Sequence, residues 1–215
     1  MADPVARPVA RSPGQTLHHV WAPKLNRTVM LTGREQLHLW VMLEAHPGVT
    51  RYCERPASAD PDIRCPVADF WALRDGSHVW LRLEAEASGT VSDATADAAS
   101  AEDPIVETIS ADELKRHRHW VRNWLSLLPY LSSASALNLR PLQAQVIEWV
   151  SGNASLDEIE RHFANTDAVL VRTAVIAALH DGSLISEDLQ IRPWDRSTRI
   201  YRSNRNTVGR HHAPQ

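Results

Sequence analysis

Lysine is almost missing from this chain of 215 residues: Lys24 and Lys115 are the only two, and every other side chain of fixed positive charge is arginine. Cysteine is equally scarce. Cys53 and Cys65 bracket a proline-rich loop, and no Cys-x-x-Cys pair accompanies the eleven histidines, which fall in separate segments. That pattern argues against a structural zinc site. The spacing permits a disulfide, but nothing marks an oxidising compartment, so two reduced thiols are expected. No run approaches the roughly eighteen apolar residues of a membrane span, and residues 1–15 lack an apolar signal core. An excess of positive charge is missing too. The formal net charge is −3, which excludes a protein that grips DNA unaided through bulk charge, because nonspecific affinity comes from neutralising phosphates.

Acidic residues at suggestive spacing are what the chain does have. Residues 1–16, with Pro4, Pro8 and Pro13, read as a flexible arm. Val20-Trp21 and Val29-Met30-Leu31 suggest short strands around Pro23. A helical pattern opens at Gly33-Arg34, with Thr32 as a candidate N-cap and Glu35 three residues on, as in a capping box; Pro47-Gly48 ends it. Val49 to Cys53 alternates like a strand. Val67 to Leu73 and His78 to Glu86 read as two strands joined by Asp75-Gly76, a strong hairpin signal. On the second of these, Trp80, Arg82, Glu84 and Glu86 share one face, while Val79, Leu81, Leu83 and Ala85 share the other. Asp69 at a strand end and Glu84 on its neighbour could converge on one divalent ion, with Glu35 facing it from the helix. A carboxylate-held Mg2+ (or Mn2+) polarises a phosphoryl oxygen and activates water, the chemistry of phosphodiester hydrolysis. Each acid taken singly is equally compatible with a helix start or a solvated sheet face.

The stretch from Thr32 to Glu86 resembles the endonuclease domain of TnsA, the strand-cutting subunit of heteromeric transposases. It carries a Glu near the start of the first helix. A match to "hPxVxxYxExP" follows, as His46-Pro47-Gly48-Val49-Thr50-Arg51-Tyr52-Cys53-Glu54-Arg55-Pro56, then Asp69 before an Asp-Gly hairpin and an acidic strand. The resemblance implies an α/β fold: a restriction-endonuclease-like mixed sheet flanked by helices. It implies Glu35, Asp69, Glu84 and Glu86 as catalytic residues, with metal at Glu35, Asp69 and Glu84. Glu86 stands where the family has a lysine. Restriction endonucleases of similar fold include some with Glu at that position, whereas an inactive adaptor would not need the lysine. A same-fold nuclease in defence against foreign DNA is the third reading. Arg82, Lys115, Arg116 and Arg118 are the candidate DNA contacts.

The nuclease-like domain is expected over residues 17–110, with a low-complexity acidic loop at 87–103. A connecting helix is expected over 111–136, with Trp120, Trp124, Leu127, Leu128 and Leu131 on one stripe. From Leu137 the pattern becomes three short helices and a hairpin, with Leu184-Ile185 and Leu189-Gln190-Ile191 as its strands. That is the layout of a small α+β winged helix over residues 137–195. Its third helix offers Arg172, Thr173 and His180 against Asp167 and Asp181, too little basic surface for base readout, so a protein partner fits better. An Arg-rich tail, 196–215, completes the chain. By the resemblance, the partners are a DDE-type transposase that delivers the DNA and an AAA+ ATPase on the winged helix. No membrane partner is expected, and the compartment is the bacterial cytoplasm.

Overall fold

The computed structural model describes residues 3–9, 14–58, 66–84 and 106–203. Glu86, Cys65, the 87–103 loop and the end of the Arg-rich tail lie outside the described residues. The chain divides into two compact units, one of Met1–Glu44 with Gly48–Arg116, the other of Ala45–Pro47 with His117–Gln215.

The first unit runs β1 (Val5–Ala6), β2 (Leu17–Ala22), β3 (Arg27–Thr32), α1 (Gly33–Ala45), β4 (Val49–Glu54), β5 (Pro56–Ala57), β6 (Phe70–Arg74), β7 (Ser77–Leu83), β8 (Val106–Ile109) and α2 (Ala111–Arg116). Strands β2 and β3 pair as a hairpin, and β1 pairs with β5, so the amino-terminal arm is anchored at Val5 and Ala6. The main sheet has the order β4-β6-β7-β8. Its first three strands are antiparallel and β8 joins parallel to β7, which makes it a mixed sheet. Asp75 (φ 50°) and Gly76 (φ 81°) both adopt left-handed backbone at the β6–β7 turn. Two positive φ angles match the twist of the flanking strands, the reason Asp-Gly signals a hairpin.

Both faces of this sheet are buried. Tyr52, Phe70, Ala72, Val79 and Leu81 lie toward α1, as their registers and the Tyr52 contacts with that helix require. On the opposite face Cys53, Trp71 and Trp80 form a second apolar cluster, joined by Ala68, Leu73 and Val106. The expected charged stripe on β7 is therefore interrupted. Trp80 is 2% exposed, and it separates exposed His78 from exposed Arg82 on that face before the strand ends at Leu83. Two large indoles paired across β6 and β7 (Trp71 opposite Trp80) remove more apolar surface from water than a row of charges could.

The second unit runs α3 (Arg118–Ser133), α4 (Arg140–Trp149), β9 (Asn153–Ser155), α5 (Leu156–His162), α6 (Ala168–His180), β10 (Leu184–Ile185), α7 (Asp188–Ile191) and β11 (Arg199–Arg202). The expected continuous helix from 111 is broken: His117 leaves helical geometry (ψ 15°) and the second unit begins there. A three-stranded antiparallel sheet has the order β10-β11-β9. Its centre strand, β11, comes from the segment expected to be an Arg-rich tail. Leu189-Gln190-Ile191, expected as a strand, forms α7 instead. Asn123 of α3 explains this: it is 4% exposed, donates to Leu189 O and Arg192 O at 2.8 Å each, and accepts from Trp194 N at 2.9 Å. With α7 held on α3, the chain returns to the sheet only at Arg199. Helix α5 opens with a full capping box, Ser155 and Glu158 each satisfying the other's backbone N–H.

Candidate functional site

Asp69 lies one residue before β6 and is fixed at four points. Its N–H donates to Leu81 O at 2.8 Å, and its carbonyl accepts from Arg55 N at 2.7 Å. Its carboxylate accepts from Gln36 Nε2 at 3.0 Å through Oδ1, and from the Leu83 N–H at 2.8 Å through Oδ2. Gln36 is held in turn: its Oε1 accepts from Thr32 N at 2.9 Å and from Thr32 Oγ1 at 3.0 Å. One chain of hydrogen bonds thus ties the end of β3, the first turn of α1, the start of β6 and the end of β7. Beside it opens a cleft of about 270 Å³ lined by Thr32, Ala68, Arg7, Arg55, Pro56 and Val67, among others.

The helix residue that meets Asp69 is Gln36, not Glu35. Successive helical residues point about 100° apart, so turning Gln36 onto Asp69 carries Glu35 off that line. Gly33 at φ 76° lets the chain pass directly from β3 into α1. Thr32, expected to cap the helix with Glu35, is instead the last residue of β3 and donates to Gln36. Glu84 is exposed just beyond β7, with its backbone N–H on Ile109 O at 2.9 Å. Among the described residues no three His, Cys, Asp or Glu side chains form a group able to hold a metal ion. Glu35, Asp69 and Glu84 are thus not gathered into such a group. Among the basic candidates, Arg82 is exposed on β7, Lys115 pairs with Asp112 at 2.9 Å, and Arg116 and Arg118 are exposed.

Sequence reading missed two buried polar systems in the first unit. Glu44, 0% exposed, accepts from Tyr52 Oη at 2.6 Å and from Lys24 N at 3.0 Å, and Tyr52 Oη accepts from Trp40 Nε1 at 2.7 Å. Lys24 Nζ donates to Leu43 O at 3.1 Å. Burial lowers the Lys24 pKa to about 8 against the opposing pull of Glu44, and burial followed by the Glu44 charge raises that of Tyr52. Glu54, 3% exposed, accepts a two-pronged contact from Arg27 at 2.8 and 2.6 Å. The available signal was an acid inside an apolar stripe in each case, Glu44 after Leu43 and Glu54 after Tyr52-Cys53.

In the second unit, α6 is buried beyond its exposed first turn, Ala168 and Val169. Val171, Thr173, Ala174, Val175, Ile176, Ala178 and Leu179 are all buried. Thr173, expected on the exposed face, is 2% exposed and donates back to Val169 O. Arg172 is paired with Glu160, and the His180 ring lies 5.9 Å from that of Trp124. Three arginines around the sheet are also paired: Arg196 with Glu160, Arg199 with Glu158, Arg161 with Asp157. No known protein family, curated protein or solved structure matches the chain.

Proposed function

We propose that the chain is a TnsA-like subunit of a heteromeric transposase, with a restriction-endonuclease-like first unit and a winged-helix second unit. Its role is to nick DNA at transposon ends as a divalent-metal-dependent endonuclease. The observation that carries this reading is the setting of Asp69. It stands at the entry to a central strand, hydrogen-bonded to the end of the neighbouring strand β7 and to the first turn of α1, beside an open cleft. Each carboxylate oxygen keeps a second lone pair for a further partner. DNA is delivered by a DDE-type transposase, in keeping with a net charge of −3.

The topology of the second unit after α3 supports the winged-helix reading: β9 lies between α4 and α5, α6 follows, and β10 and β11 (with α7 between them) complete a sheet that has β11 at its centre. Helix α6 is buried over most of Val171–Leu179, and Arg161, Arg172, Arg196 and Arg199 are each paired with an acid, so it suits a protein surface, for which the AAA+ ATPase is the proposed partner, more than a DNA groove.

A second reading, a catalytically inactive adaptor between transposase and ATPase, is favoured by one observation. Both oxygens of Asp69 already accept N–H donors, and the helix offers it an amide rather than an acid. The test combines the full transposase set with end-containing DNA in Mg2+ or Mn2+, comparing wild type with Asp69→Ala. Strand cutting by wild type alone supports the enzyme. Absence of cutting by wild type, or equal cutting by both, overturns the reading as a transposon-end endonuclease.

A further inference from the structure

The geometry points to Gln36 as a positioning residue that latches Asp69 and sets the charge of this site. The inference rests on the nuclease-like reading of the first unit only for the site's purpose; the latch itself stands on hydrogen bonds. A carboxylate acceptor at Gln36 Oε1 would serve Thr32 equally well, so the Thr32 contacts alone do not call for an amide. The Nε2 donor does: it is the atom that meets Asp69 Oδ1, at 3.0 Å. Thr32 donates to Oε1 through both its N–H and its hydroxyl, which fixes the amide with Nε2 toward Asp69. The Leu83 N–H holds the other oxygen. A cation approaching Asp69 therefore meets one negative charge and an N–H donor on the helix side, where a helix carboxylate would have supplied a second negative charge. The helix residue that meets Asp69 is thus neutral, whereas the resemblance implied the acid at 35, and a cation at Oδ1 would share that oxygen with the amide N–H.

Gln36→Glu reverses this with little change in shape. It replaces the donor with a second carboxylate and retains the acceptor for Thr32. A further unit charge about 4 Å from a divalent ion strengthens association by roughly 30-fold even at the dielectric constant of water. Mn2+ alone is the probe, with free and bound ion counted by electron paramagnetic resonance on the full chain. Gln36→Glu is expected to bind Mn2+ at least tenfold more tightly than wild type, and the gain is expected to vanish in Gln36→Glu/Asp69→Asn. No gain, or a gain that survives Asp69→Asn, overturns the latch. Should Gln36→Glu fail to fold, Thr32→Val provides the second measurement. Loss of the hydroxyl loosens the amide and with it Asp69, so the Leu83 N–H should exchange with solvent several-fold faster than in wild type. Unchanged exchange overturns the proposal. Neither readout requires DNA cutting. A latch that passes with a wild type that never cuts separates loss of the enzyme reading from loss of this one.

Discussion

Replacing Tyr52 with Phe tests whether the buried polar system under α1 holds the first unit together. Tyr52→Phe keeps the ring and removes one oxygen. That oxygen donates to Glu44 at 2.6 Å and accepts from Trp40 at 2.7 Å, and Glu44 is 0% exposed. Leaving the buried Glu44 acceptor without this donor costs about 1–3 kcal/mol, and a stranded buried N–H costs about 1–3 kcal/mol more. The two effects are coupled through one atom, so a total near 3 kcal/mol is expected. For a unit of this size that lowers the melting temperature by roughly 12 °C. Thermal and urea unfolding, followed by circular dichroism on the full chain, measure it. Repeating the substitution in a Trp40→Phe background should cut the cost by about 1 kcal/mol, since no indole N–H is then stranded. A loss below about 1 kcal/mol in the wild-type background would refute the argument, because Glu44 would then be finding its donors elsewhere.

Two further outcomes follow from buried groups. Lys24 titrates near pH 8 in the folded chain, against 10.5 unperturbed, chiefly because of burial. The unfolded chain then binds more protons between those values, so stability rises as the pH climbs from about 8 toward 10. Urea midpoints at pH 7.5 and 9.5 should show that rise, and Lys24→Met should flatten it; an equal rise in the variant rules out Lys24 as its source. In the second unit, Asn123→Ala strands two carbonyls and one N–H around α7 and should cost about 3 kcal/mol. The accompanying sign is faster hydrogen exchange at Trp194 N–H, and unchanged exchange there would show that Asn123 does not hold the segment.

Local rules carried much of the fold. The β6–β7 hairpin follows from Asp75-Gly76, α1 from its apolar spacing and its Pro47-Gly48 stop, and α5 from a serine cap, because turn chemistry and periodicity act between neighbours in the chain. They failed at α7. The sequence Leu189-Gln190-Ile191 is compatible with strand or helix, and Asn123, 66 residues away from Leu189, decides between them. They also failed on the exposed face of β7, where strict alternation cannot tell a solvated stripe from a second core. Trp80 is buried because Trp71 and Cys53 lie beside it.

The sequence by itself determined a mixed α/β first half, a helical second half closed by strands, and an acid at the entry to β6. Those properties depend on spacings of two to four residues, which the chain spells out directly. Only the tertiary structure decided what Asp69 meets. Gln36 lies 33 residues from it and Leu83 lies 14. Which of two adjacent helical residues faces the sheet depends on the rotation of α1 against β4 and β6. That rotation is set by packing of Trp40, Leu39 and Leu43 in the core and by the Gly33 turn, a sum of many contacts that no single residue announces.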